Sequence, residues 1–466
     1  MNKKLDKFFM ISDRGSSVKT EIIGGLTTFF AMAYIVVTAP NQITGGVSGA
    51  LWNAVYIASL LAAVVGTLLY AFYAKLPFAQ ACGVGLCPFF FVSFILPNML
   101  DPIKGYQEGL LIVLIAGIVF LLLSVTGARK YIARSLPDCL KKSIPAGIGL
   151  FIALIGFANA NIIVASPFTM VQLFDFHAAI DGLSFFDAWK AIAPVVLALL
   201  GLFLIAILEK KGIKSAIIVS ILSVTVLYYL TTWTAPNFDF ASVGQAFKDF
   251  GELGFLGAFK GFSVFSGGIS AVVNAIVLII TFCLVDMFDT IGTLYGTAAQ
   301  ADMLDENGDP QNIDASMTAD SIATASGSLL GTSTCTTFVE SASGVAAGAR
   351  TGLASVVTAI CFALCLFLTP LALIVPACAT APALIYVGVL MLKGFSKVDM
   401  SDPTEAVPAF LTLVMMPLTY SISNGIAIGA IAYTVTAIAT GRFKKRDLIV
   451  LAIGILFLIR FFTISV

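Results

Sequence analysis

Three acidic residues stand where charge is costly. Asp286 and Asp289 lie in TFCLVDMFDTIGTLYG (281–296) and Glu340 lies in TSTCTTFVESASG (332–344). No other charged residue occurs between Lys260 and Asp302 or between Asp320 and Arg350, so none of the three has a counter-ion nearby in sequence. At the centre of a membrane helix an aspartate costs about 2.5–3.5 kcal/mol, which a function must offset. Asp286 and Asp289 are three residues apart, so both project from one side of a helix, and Thr290 and Thr293 continue that polar side. Each acid alone could merely tie helices together through hydrogen bonds. Taken together, carboxyl groups in a low-dielectric site can load and release a proton, which suits a proton-coupled carrier.

Glu340 follows a run of threonines with Phe338 and Val339, which favours extended chain, and precedes Ser341-Ala-Ser-Gly, which allows a short, closely packed helix. It would then sit at a helix N-terminus, where unpaired N–H donors and the positive end of the dipole favour anionic or acceptor groups. A second stretch has the same design. In Gln80-Ala-Cys-Gly-Val-Gly85-Leu-Cys87-Pro88-Phe89-Phe90 the glycines and a short extended piece lead into a helix with proline in its first turn. Two half-helices aimed at one site, with two carboxyl groups and the faces of Phe89 and Phe90, suit a small planar heterocycle that carries N–H groups together with carbonyl or ring-nitrogen acceptors. A cation fits less well, since the helix dipoles repel it.

The elements that must hold these residues are membrane helices. Of 466 residues, 59% are hydrophobic and 11% charged, too apolar for a water-soluble core. The 26 basic and 26 acidic residues cancel, so no general attraction draws the chain to nucleic acid. Apolar runs long enough to cross a bilayer cover 22–40, 52–74, 109–127, 144–163, 191–208, 215–233, 271–296, 352–370, 381–392, 406–440 and 448–464. Two more, 78–100 and 322–349, are interrupted by glycines and small polar residues. With a span counted between 320 and 331, and 406–440 read as two helices broken near Asn424-Gly425, about 14 or 15 segments result. Broken segments at membrane depth must line a cavity or be buried in protein.

Basic residues in short loops (Lys3, Lys4, Lys7, Arg14, Lys19, Lys75, the stretch 129–142, Lys210 and Lys211) follow even numbers of spans and place the N-terminus in the cytoplasm. The cluster 442–446 joins them only if 406–440 crosses or re-enters as a hairpin. The first 21 residues lack the pattern of a cleaved signal, so a polytopic protein of an inner or plasma membrane is expected. The two broken segments lie some 250 residues apart, which suggests an inverted repeat with the breaks face to face. The polar stretch 234–260 between the halves reads as a linker or lateral helix. Eight cysteines without CxxC or metal-ligand spacing read as small buried residues, and His177 as a solvated loop residue. No metal and no cofactor are expected.

Three motifs carry a resemblance: GGLTTFFAMAYIVVTAP (24–40), VDMFDTIGTLYG (285–296) and GTSTCTTFVESASGVAAGARTGL (331–353). The chain resembles the nucleobase/ascorbate (xanthine/uracil permease) superfamily, and within it the adenine/guanine/hypoxanthine permease branch. The resemblance implies an all-α polytopic membrane protein, a 14-helix inverted repeat of seven plus seven with two broken spans. Its core domain would comprise 20–130 and 270–376, and its gate domain 131–269 and 377–466. It implies proton symport of a purine nucleobase by elevator-like movement of core against gate, and a possible homodimer in the bilayer. By motif, Asp286 and Glu340 would bind substrate and couple the proton, with Gly85, Cys87, Val339 and Phe89 beside the base and Asp289 and Thr290 in support. One departure stands out: the purine branch carries a GMGLNA-like motif on span 3 whose asparagine contributes to the site, where this chain has Cys87-Pro88. A thiol is smaller and a weaker hydrogen-bond partner than an amide, so the base carried stays open between common purines, xanthine, uracil and a modified base.

Other classes fit less well. Anion exchangers or channels of the same fold class would not need uncompensated carboxylates. An enzyme would need a constellation such as Ser/His/Asp, HExxH or GxxxxGK, and none occurs. A receptor or scaffold would tolerate the acids without needing them.

Overall fold

The computed structural model describes residues 3–47, 49–127, 136–166, 169–213, 215–236, 238, 240–300, 303 and 310–463. Of the basic stretch 129–142, residues 129–135 lie outside them, as does the expected domain boundary at 130/131.

Eight helices among the described residues are long and apolar enough to cross a membrane, and five shorter apolar helices of 10–17 residues join them. The first crossing is made of α2 (Val18–Met32) and α3 (Ile35–Thr44), interrupted at Ala33 and Tyr34. The short helix α1 (Lys3–Phe9) precedes it, and α4 (Ala50–Leu69) follows. The first broken segment is strand β1 (Gln80–Cys82) and helix α5 (Leu86–Phe90), and α6 (Pro102–Val125) returns. Next come α7 (Asp138–Asn159), the hairpin β2 (Ile163–Ser166) and β3 (Met170–Leu173), the short α8 (Phe176–Ile180) with exposed His177, then α9 (Phe185–Lys210) and α10 (Ala216–Thr232). The polar stretch between the halves holds α11 (Ser242–Asp249), and α12 (Gly268–Gln300) opens the second half. Then come α13 (Ile313–Leu330), the second broken segment of β4 (Cys335–Thr337) and α14 (Ser341–Ala346), and α15 (Gly352–Cys365). The chain continues through α16 (Thr369–Leu373), α17 (Ala377–Met391), α18 (Pro403–Leu418), α19 (Ile422–Ala439) and α20 (Leu448–Thr463).

These helices pack in two sets. In one, α6 lies on α12 and α13, α4 on α13 and α15, and α2 on α14 and α15; in the other, α7 lies on α17 and α18, α9 on α10 and α17, and α19 on α18 and α20. Where the first set closes most tightly, glycines set the distance. A Cβ on Gly344 of α14 would lie 2.1 Å from Thr28 Oγ1 and 2.6 Å from the Gly24 carbonyl of α2. Neither helix has room for a larger residue there.

The two broken segments meet as an antiparallel pair, with Gln80 opposite Thr337, Ala81 opposite Thr336 and Cys82 opposite Cys335. A two-stranded sheet leaves its outer edges unpaired, which is costly for buried backbone. Threonines of the neighbouring helices close those edges. Thr67 Oγ1 of α4 accepts from Gln80 N–H and donates to its carbonyl, both at 3.0 Å. Thr324 Oγ1 of α13 accepts from Cys335 N–H at 3.1 Å, and Thr290 Oγ1 of α12 from Thr337 N–H at 3.4 Å.

The run 406–440 is a hairpin of α18 and α19, but it turns at 419–421, not near Asn424-Gly425. Tyr420 adopts a left-handed φ of 53° and Ser421 caps α19. Gly425 lies inside α19, where a Cβ would meet Met416 Cγ at 2.2 Å, so this glycine serves close packing and not a break. The hairpin brings Arg442 back onto Asp402, whose carboxyl the Thr404 hydroxyl and then the guanidinium hold below the usual carboxylate range. Lys142 Nζ likewise donates to the Lys397 carbonyl at 2.7 Å, and Arg14 to the carbonyls of Lys75 and Arg350 at 2.7 and 2.9 Å. With helices alternating in direction, these basic junctions fall at one end of the bundle.

Overpacking at such contacts costs about 1–3 kcal/mol. Gly344→Val is therefore expected to lower the thermal midpoint of the detergent-solubilised protein by several degrees. An unchanged midpoint would contradict the backbone contact between α2 and α14.

Candidate functional site

Four carboxyl groups converge beside the two-stranded sheet. Asp286 and Asp289 come from α12, Glu340 caps the start of α14, and the fourth is Asp320 of α13, fully buried. Sequence reasoning missed Asp320 because α13 is rich in serine, threonine and alanine and does not form a long apolar run. The signal that could have found it is the i, i+4 spacing of Asp320 and Thr324 on a helix whose small polar residues point inward.

The four are not equivalent. Asp286 Oδ2 accepts from Thr324 Oγ1 at 2.7 Å, and Asp320 Oδ1 accepts from Gln80 Nε2 of β1, with the hydroxyls of Thr290 and Thr337 close by. The charges of these two buried acids bear on each other, and Asp286 Oδ1 and Asp320 Oδ2 have no hydrogen-bond partner. Glu340 and Asp289 are more open. Glu340 Oε1 accepts from the Tyr34 hydroxyl at 2.9 Å, the Thr336 hydroxyl bonds the Asp289 carboxyl, and Asp289 is near enough to act on both Tyr34 and Glu340. Glu340 and Asp289 are partly exposed and Val339 is 46% exposed, so this side of the site is accessible.

Asp289 thus lies within reach of all three other acids, acting on Glu340, Asp286 and Asp320, while Asp286 is held by Thr324 of α13. The remaining expected residues fall as follows. Gly85 precedes α5 and faces α7, where a Cβ would meet Ile148 Cγ2 at 2.6 Å. The Cys87 thiol turns inward against Cys82, at 2.7 Å, and away from the open side. Phe89 is buried with its ring 5.0 Å from that of Phe282. Thr290 serves the sheet edge and Asp320.

The first N–H groups within the two half-helices are engaged in tight local turns: Ser341, Ala342 and Ser343 donate to the carbonyls of Phe338, Val339 and Glu340, and Leu86 and Cys87 both donate to that of Gly83. The side chains of the site offer a ligand acceptor oxygen on carboxylates, beside a tyrosine hydroxyl. Among the described residues no group of three or more His, Cys, Asp or Glu is arranged to hold a metal ion.

The sequence model of the Permease family, the xanthine/uracil permeases, matches residues 19–428. The chain belongs to this family. It is 36% identical to the adenine permease AdeP of Escherichia coli over 456 residues, 98% of this chain and 95% of that one. It is 37% identical to the guanine/hypoxanthine permease PbuG of Bacillus subtilis over 462 residues, 97% and 98% of the two chains. In fold it is similar to the transmembrane domain of a cyanobacterial bicarbonate transporter, BicA, with a TM-score of 0.59 at 16% identity over 87% of this chain and 97% of that one. The murine anion transporter Slc26a9 gives 0.57 at 12% identity over 91% and 69%. The chain is therefore a transporter of this multi-pass helical fold and not an enzyme.

Replacing Asp320 by leucine strands Gln80 Nε2 in a buried site, at a cost of about 1–3 kcal/mol. Asp320→Leu should lower the thermal midpoint clearly more than Asp320→Asn, which retains an acceptor oxygen. Equal midpoints for the two variants would contradict the role of this contact.

Proposed function

We propose that this protein carries purine nucleobases across the membrane together with protons. The observation that carries the reading is the Tyr34–Glu340 pair on the accessible side of the site, with Asp289 close by. Adenine and guanine present ring and exocyclic N–H donors and hypoxanthine ring N–H donors, and carboxylate oxygens accept from such donors in charge-assisted hydrogen bonds. The carboxyl groups, without a neighbouring cation among the described residues, weigh against a bare anion as cargo. The relatives named for adenine, guanine and hypoxanthine supply the substrate class.

In this reading Glu340 and Asp289 hold the base, and Gly85 lets the start of α5 pack closely against Ile148 of α7. Asp286 and Asp320 sit behind as the groups that carry the coupled proton, each with one buried oxygen that has no hydrogen-bond partner. The set built on α2–α6 and α12–α15 is the moving core and the set built on α7, α9, α10 and α17–α20 the gate, with the basic end in the cytoplasm.

The test is uptake of radiolabelled adenine, guanine and hypoxanthine in cells lacking their own purine permeases. Asp286→Asn together with Glu340→Gln should reduce uptake about tenfold or more, and a protonophore should abolish accumulation. Uptake that survives the double substitution would refute the site. Accumulation that survives the protonophore would refute the coupling.

A further inference from the structure

Along α12, the residues Asn274, Leu278, Phe282, Asp286 and Thr290 follow one another at steps of four, a ridge winding slowly round the helix with about 6 Å of rise per step. The ridge runs through three environments. Asp286 and Thr290 belong to the carboxylate site. Phe282, fully buried, stacks near Phe89 and Phe94, with ring centroids 5.0 and 6.1 Å away. Beyond it, Leu278 and Asn274 line a cavity of about 350 Å³, and Phe89 lines the same cavity.

This cavity lies between the two packing sets and away from the basic end. One wall is span 3 and α12, including Ser93. The other is the turn between α18 and α19 with the start of α19, including Tyr420, Ser421 and Ser423, closed by Phe461 of α20. Among the described residues no charged side chain lines it. Hydroxyl and amide groups stand over the apolar surfaces of Phe89 and Leu278, a combination that suits a neutral planar heterocycle and not an ion, and the volume lies within the usual range of small-molecule pockets, about 300–1,000 Å³.

We propose that this chamber is a second, weaker binding site for the purine, separated from the carboxylate site by the single aromatic layer of Phe89 and Phe282. The inference rests on the purine reading given above and adds a place where the base waits on its way to or from the carboxylates. Leu278 and Asp286 are two steps apart on the ridge, about 12 Å along the axis. Because the chamber's walls come from both sets, any movement of one set against the other changes its shape.

The test is equilibrium binding of radiolabelled adenine, guanine and hypoxanthine to the purified full-length protein across a wide concentration range. Two classes of site are expected, the weaker at least about tenfold below the tighter. Asp286→Asn with Glu340→Gln should remove the tight class and leave the weak one. Leu278→Trp, which fills the chamber, should do the reverse, and Ser93→Phe fills it from span 3 should Leu278→Trp fail to fold. A single class of sites, lost with the carboxylates and untouched by chamber filling, would overturn the chamber while leaving the purine reading intact. No purine binding at all would overturn both.

Discussion

Backbone in a membrane cannot turn to water for its hydrogen bonds, and every feature of the site follows from how two interrupted spans meet that demand. They pair with each other, Gln80 to Cys82 against Cys335 to Thr337, and so the two halves of the chain are joined at the place where both are broken. The outer edges of that small sheet are closed by threonines from three helices. Two of these helices, α12 and α13, carry Asp286, Asp289 and Asp320. Acids and edges are one structure: displacing α13 would free the Cys335 amide and remove the hydroxyl from Asp286 together.

The acids divide into a sheltered pair and an accessible pair, and the division has a geometric origin. Asp286 and Asp289, three residues apart on α12, share one side of the helix but diverge by most of a turn's rise, so one meets α13 and the other meets Tyr34 and the start of α14. Glycines keep that second meeting close, since Gly24 and Gly344 let α2 and α14 approach backbone to backbone.

Much of this was legible in the sequence, and for stated reasons. Charge stranded in apolar runs marked Asp286, Asp289 and Glu340, and glycine-rich interruptions marked both broken spans. Composition is a poor guide to a helix surrounded by protein on every side, which is why Asp320 was read as the edge of a span and not as part of the site. Side-chain direction was equally hidden: Cys87 and Asp286 lie on the expected elements yet face inward, because facing is decided by partners such as Cys82 and Thr324 that are remote in sequence. Gly425 misled because a glycine that permits contact and a glycine that ends a helix look alike in one sequence.

The Thr324 hydroxyl has one hydrogen and two acceptors within reach, Asp286 Oδ2 at 2.7 Å and the Cys335 carbonyl at 3.1 Å, while its lone pair is held by the Cys335 amide. With Asp286 ionised, the carboxylate wins that hydrogen. With Asp286 neutral, the competition is nearly even, and the hydroxyl can swing to the carbonyl and bind the strand from both sides. A single rotating O–H bond thereby links the charge of an acid on one helix to the grip on the strand that leads to Glu340.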